Sequence, residues 1–180
     1  MADSNITKQE LSGSLKKLLT QKPLEKISVA DICTLCGMNR KSFYYHFKDK
    51  YDLVNWIYYN EFVAVVSQKE YDIAWDLLQN LCGYLYENRS FYRKTFYLSE
   101  QNPFTDYFTS CIAMVLEDDI CEIFASQENL DFYIGFYTDA FVVAIRKWIM
   151  DSEPMEPSRF CHSLETCLVQ ISKAVIERLA

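Results

Sequence analysis

With 180 residues, half of them hydrophobic, the chain can bury a substantial core, either as one compact unit or as a small module joined to a larger one. Four Gly and four Pro are too few for the many turns of an all-β protein and point to long helices with short connections. The net charge of −7 argues, taken whole, against a polyanionic partner, but residues 1–50 carry nine Lys or Arg against five Asp or Glu while residues 51–180 carry nine against twenty, so a basic head sits on an acidic body.

From Thr7, the residues Leu11, Leu15, Leu18 and Leu19 recur at helical spacing and predict an amphipathic helix ending near Gln21, ahead of Pro23. Leu24 and Ile27 bracket a turn. Ser28 then stands as an N-cap with Asp31 three residues on, a shortened capping box before Val29, Ile32 and Leu35. Gly37 is placed to adopt the left-handed conformation that ends this short helix and turns the chain into the next. Asn39 caps a third helix, Arg40–Phe47, which Phe43 and Phe47 anchor to the core. The anchoring leaves Arg40, Lys41, Ser42, Tyr44, Tyr45 and His46 on the remaining surfaces. A short rod so dense in hydrogen-bonding groups fits the major groove, where Arg or Lys pairs with guanine, Asn with adenine, and Tyr hydroxyls with phosphate. Asp49 caps a fourth helix, whose early Lys50 is expected to hold a phosphate together with the helix terminus.

The run Ile27-Ser-Val-Ala-Asp-Ile-Cys-Thr-Leu-Cys-Gly-Met-Asn-Arg-Lys-Ser-Phe-Tyr-Tyr-His-Phe-Lys-Asp-Lys-Tyr-Asp-Leu53 resembles the DNA-binding segment of TetR/AcrR transcriptional regulators. The resemblance covers about the first third of the chain. It rests on an ordered set: capping Ser28, turn Gly37, Phe43-Tyr44, His46-Phe47, Lys50 and Leu53. It implies an all-α protein of about nine helices, with a three-helix helix-turn-helix domain over residues 1–52 and a helical ligand-sensing and dimerisation domain over residues 53–180. It further implies backbone contacts at Ser28, Tyr44, His46 and Lys50, and base reading by Asn39, Arg40, Lys41 and Tyr45. Ser42 and Lys48 complete the expected DNA-binding set, and Asn39 has the alternative of acting only as a helix cap. A looser likeness links Asn39–Ile57 to regulators grouped with the dihydroxyacetone-kinase activators. The wider family consists mostly of repressors released by a small ligand, whereas that subgroup includes a regulator signalled by a protein partner.

The body continues as helices. Trp56, Ile57, Phe62 and Val66 extend the fourth, and Trp75, Leu78, Cys82 and Leu85 mark a fifth. Phe91, Tyr92, Phe96 and Tyr97 precede a break at Asn102-Pro103, and a long helix follows to about Phe124. Residues 129–150 form a nearly continuous apolar helix, and residues 157–179 the last. The stripe Tyr133, Phe136, Tyr137, Phe141, Ala144, Trp148 and the face Phe160, Leu164, Leu168, Ile171, Val175, Leu179 are too apolar for a monomer surface. By the family resemblance these two helices form a four-helix dimer interface, and a homodimer reads a palindromic operator in double-stranded DNA. Tyr133, Phe136, Phe141, Ala144, Trp148, Leu164, Leu168, Ile171 and Val175 are its expected contacts.

Other features carry duller readings. Cys33 and Cys36 form a CxxC without a second ligand pair, which favours packing over a metal or redox site. His46 and His162 are the only histidines, too few for a metal-ligand set. The run Glu117-Asp118-Asp119 with Glu122 reads as a solvated face. Body aromatics either line a pocket for an inducer, with Cys82, Phe108, Cys111 and Tyr137 as candidate lining, or simply fill the core. No Gly-rich phosphate loop or nucleophile with a paired His appears, so neither an enzyme nor a cofactor or metal site is expected. Seven Cys, an odd number, with no secretory n-region or apolar h-region, point to reduced thiols in the cytoplasm. The longest apolar stretches, such as Phe141–Ile145, fall short of the roughly 18–20 residues of a membrane span.

Overall fold

A computed structural model describes residues 2–64, 74–97, 103–125 and 128–170. Nine α-helices and no strand occur among them: α1 (Ala2–Gln21), α2 (Val29–Leu35), α3 (Arg40–His46), α4 (Lys50–Tyr58), α5 (Ala74–Glu87), α6 (Arg89–Phe96), α7 (Pro103–Ile123), α8 (Leu130–Met150) and α9 (Pro157–Glu165). The fold is all-α, as the composition and resemblance imply. Two compact units arise. One contains α1–α4, α6 and the first residues of α7; the other contains α5, the rest of α7, α8 and α9.

In the first unit, α1 turns Leu11, Leu15, Leu18 and Leu19 inward, all of them buried. It begins about a turn earlier than the apolar spacing predicts, because residues 2–6 add no apolar register but contain no Gly or Pro to stop a helix. A 3₁₀ turn over Leu24–Lys26 buries Leu24 and Ile27 and leads into α2. Gly37 holds φ at 68°, the left-handed geometry expected between α2 and α3. Below the head, Tyr58, Tyr92, Phe96 and Phe104 interlock edge-to-face and stacked, with centroids 5.0–6.3 Å apart. Lys16 pairs with Glu61 and lies over the Phe91 ring, and Lys94 donates to the Leu19 carbonyl, so α6 is fastened to α1 at two points. α4 ends in a π turn over Tyr59–Val63.

The second unit is organised around Trp148. Its indole stacks on Phe160 of α9 at 4.4 Å and on Tyr86 of α5 at 6.1 Å, and its N–H donates to the Met155 carbonyl at 2.9 Å. Phe141, two turns earlier on α8, lies against Trp75. Phe124 stacks on Tyr133 at 4.4 Å. α9 runs into a second π turn over Thr166–Gln170.

This packing corrects the expected dimer stripe. Phe141, Trp148, Leu164 and Leu168 are buried inside their own subunit. Tyr133 and Ala144 are half-buried, and only Phe136 of the described expected contacts is exposed. The uncovered face of α8 is rotated from the predicted one and carries Phe132 (66 % exposed), Phe136 (56 %), Ala140, Val143 (48 %) and Met150 (37 %). A helix apolar around most of its circumference offers two stripes at helical spacing, and the sequence alone does not say which one the subunit keeps. Ile171 and Val175 lie outside the described residues.

Candidate nucleic-acid interface

The head is assembled by side-chain caps. Ser28 Oγ accepts the Asp31 N–H at 3.1 Å and the Asp31 carboxylate accepts the Ser28 N–H at 2.9 Å, closing the capping box at the start of α2. The same carboxylate accepts from Lys22 at 2.8 Å; chiefly through that bond, then through Ser28, its pKa is lowered from 3.8 to about 2. Asn39 Oδ1 accepts from the Ser42 N–H at 2.8 Å, which is the capping role. Asp49 accepts from Tyr51 and Asp52 N–H groups, and Asp52 in turn accepts from the Lys48 N–H. Each cap consumes orphan donors of a helix terminus, so three short helices hold fixed angles.

Upon this frame α3 presents its functional face. Phe43 and Phe47 are buried with their rings 5.7 Å apart, and Phe47 meets Trp56 of α4 at 5.9 Å. The opposite side is left to solvent: Tyr45 is 82 % exposed, and Arg40, Lys41, Tyr44 and Lys48 are exposed too. Arg40 lies over the Tyr44 ring and donates to its hydroxyl at 3.4 Å, so guanidinium and phenol occupy one flank together. On the other flank an open groove of about 450 Å³ is lined by Thr7 of α1 with Met38, Asn39, Lys41, Ser42, Tyr45 and His46. All ten expected DNA-binding residues thus sit at exposed or half-exposed positions of the head.

Lys50 differs in how its ammonium is engaged. Its ammonium donates to the carbonyls of Leu24 at 2.7 Å, Ile27 at 2.8 Å and Glu25 at 3.0 Å, spending its three protons on the turn before α2. Burial lowers its pKa, opposed by Glu25 and Asp49. The lysine expected at a phosphate clamps the 3₁₀ turn in this structure. Sequence reasoning also passed over Lys8, half-buried on α1, whose ammonium stands 5.9 Å from the centroids of both Phe47 and Trp56. The missed signal was a cation three residues ahead of the first buried leucine of α1.

The remaining candidates are engaged in packing. Cys36 Sγ donates to backbone carbonyls of Ile32 and Cys33, and burial pushes the Cys33 thiol up, in keeping with a packed CxxC. Cys82 is fully buried and its thiol donates to that of Cys161, which raises Cys82 and lowers Cys161. Phe108 and Cys111 are buried, and Tyr137 lies against Phe124 and Phe136. His162 faces Glu165 at 3.6 Å on α9, and no group of three or more metal-ligating side chains occurs among the described residues. Asp119 is raised by burial and by Glu122 and Asp118. No helix among the described residues is long and apolar enough to cross a membrane.

Capped short helices that display a cationic, phenol-rich rod define the helix-turn-helix class of transcriptional regulators. Residues 15–57 match the family described as "Bacterial regulatory proteins, tetR family", and residues 74–170, more than half of the chain, match the "Transcriptional regulator C-terminal region". The chain belongs to the TetR family of bacterial transcriptional regulators. It is similar to the HTH-type dhaKLM operon transcriptional activator DhaS of Lactococcus lactis subsp. lactis (strain IL1403), 31 % identical over 101 residues, a match covering 56 % of this chain and 54 % of that protein. The matched stretch thus spans about half the length of that relative. Two solved structures share the fold: the dihydroxyacetone kinase operon activator DhaS (TM-score 0.69, 22 % identity, 94 % of this chain and 97 % of that one), and a TetR transcriptional regulator from Streptococcus agalactiae 2603V (TM-score 0.71, 19 % identity, 93 % and 96 %).

Proposed function

We propose that the protein binds a palindromic operator as a homodimer, reading bases through Asn39, Arg40, Lys41 and Tyr45 and gripping the backbone through Ser28, Ser42, Tyr44, His46 and Lys48. In this reading residues 1–52 are the DNA-binding domain and residues 53–180 receive the signal and dimerise, in the cytoplasm and without catalysis. The observation that carries it is the anchoring of α3 by Phe43 and Phe47, which leaves Arg40, Lys41, Tyr44 and Tyr45 outward on a frame small enough for the major groove. Asn39 is engaged by the Ser42 N–H through Oδ1 and keeps its amide N–H₂ for an acceptor on DNA. Lys50 serves that frame from within.

Dimerisation is supported by Phe132, Phe136, Val143 and Met150, an uncovered apolar stripe that a second copy of α8 would bury across a two-fold axis. A signal in the body, from a small inducer or a protein partner, shifts the population in which both recognition helices match half-sites about one DNA turn apart. The protein acts in this reading as a repressor. Its likeness to an operon activator favours a second reading, activation in response to a protein partner.

Selection of retained fragments from genomic DNA by the purified protein is expected to yield one palindrome. Arg40→Ala should then lose about 1–3 kcal/mol at one position of each half-site and relax selectivity there. Equal losses on operator and random duplex would overturn the base-reading role. Transcription from the selected promoter rises on deletion of the gene for a repressor and falls for an activator.

A further inference from the structure

We infer that the second turn of α1 is part of the DNA surface: Thr7 lines the groove beside α3, Lys8 follows it on α1 against Phe47 and Trp56, and this turn takes a backbone phosphodiester of the strand flanking each half-site. The inference rests on the reading of α3 as the recognition helix and extends the footprint beyond it.

Two independent features meet here. The groove is open, about 450 Å³, and its walls are hydroxyls, an amide, an imidazole and an ammonium from Thr7, Ser42, Asn39, His46 and Lys41, with no carboxylate among its lining residues. Next to it Lys8 is placed by aromatic faces, 5.9 Å from Phe47 and 5.9 Å from Trp56, two rings that themselves lie 5.9 Å apart. Ring faces fix an ammonium electrostatically without supplying an oxygen acceptor. Lys8 therefore keeps N–H donors for an incoming anion, in contrast to Lys50, whose three are bonded to carbonyls. Phe47 and Trp56 are the same rings that hold the end of α3, so the position of Lys8 is tied to that of the recognition helix.

The chemistry fits a phosphodiester. A helix seated in the major groove has a sugar-phosphate strand running along its flank, and the flank of α3 that turns toward α1 carries Ser42 and His46. Lys8 and Lys41 give charge on either side of that path, and Thr7 lines it. Because the contact is to backbone, it strengthens all duplexes alike and releases counterions.

The test measures affinity of the full-length protein for operator and random duplex across a salt series, for wild type, Lys8→Gln, Lys8→Met and Lys8→Arg. Lys8→Met keeps the apolar stem over the rings and removes only the charge, so a loss of packing in Lys8→Gln does not obscure the result. Both neutral variants should weaken operator and random DNA by the same factor and flatten the plot of log affinity against log salt by about 0.9 per subunit, and Lys8→Arg should restore the slope. A scan of single methylphosphonates along the operator should locate one flanking phosphate per half-site whose neutralisation weakens wild type and leaves Lys8→Met unaffected. An unchanged slope, with no such phosphate, overturns the inference while leaving the role of α3 intact. A wild type that shows no preference for any operator overturns the reading of α3 and this extension with it.

Discussion

The helices of the head and those of the body begin in different ways. α2, α3 and α4, of seven, seven and nine residues, each start at a side chain that accepts backbone N–H groups: Ser28, Asn39 and Asp49. α8, with 21 residues, starts after Asn129 in a left-handed conformation, and α9 starts after Glu156 with Pro157 in its first turn; neither has a side-chain cap. Helices shorter than about 12–15 residues are marginal in water, so the head must stabilise its ends one by one. The body relies on buried area around Trp148. The head is therefore specified by local chemistry, and the body by which faces meet.

The sharpest way to break this contrast is on α8. Trp148→Ala removes the indole sandwiched by Tyr86 and Phe160 and leaves the Met155 carbonyl without its donor, and should cost about 3–5 kcal/mol in urea unfolding of the full chain. Phe136→Glu, on the uncovered stripe twelve residues earlier, should keep the helical content of the subunit but give monomers by sedimentation, remove the concentration dependence of unfolding and abolish tight operator binding. A Phe136→Glu protein that remains dimeric would place the subunit contact off this face.

Lys50→Met comes next. It strands three carbonyls that now share one ammonium, and should cost about 1–3 kcal/mol. The salt slope of DNA binding should not change beyond what the lost stability explains, because the ammonium is spent inside the head. A slope that falls by about 0.9 per subunit would return Lys50 to the phosphate surface. Asn39→Ala is smaller in stability, about 1 kcal/mol for the lost cap, measured as a drop in melting temperature of the head. Loss of base selectivity in addition would show that its free amide also reads DNA.

How much was legible follows the same division. Ser28, Gly37, Asn39 and Asp49 were read as caps and turn because their chemistry acts within three residues, and each does so. The anchoring pair Phe43 and Phe47 and the long helices are legible from spacing, whereas the number of helices comes from the family resemblance, and α6 reads in the sequence only as an aromatic cluster. The carbonyl partners of Lys50 are not legible in the sequence because they lie 23–26 residues back, across a turn whose shape no local pattern gives. Lys8 was missed for a similar reason: its two rings come from α3's end and from α4. On α8 the error was one of phase, since burial of Phe141 and Trp148 depends on α5 and α9, which the sequence of α8 does not contain.

The finest test of the head's local bookkeeping is Asp31. Its carboxylate holds the Ser28 N–H and the Lys22 ammonium, and its pKa is depressed from 3.8 to about 2, with the Lys22 bond the largest cause. A folded-state pKa below the unfolded one means that the stabilisation is complete above 3.8 and is lost as pH falls through about 2. The melting-temperature gap between wild type and Asp31→Asn should therefore be constant at neutral pH and close across that acidic window. The group is solvent-exposed, so the gap is small and shrinks with added salt. Carboxyl NMR titration reads the cause directly: in Lys22→Met the Asp31 midpoint should move up toward 3.8 but stop short of it, because the Ser28 N–H still donates. A midpoint unmoved by Lys22→Met would assign the depression to the capping box alone, and with it the start of α2 to Ser28 and Asp31 without help from α1.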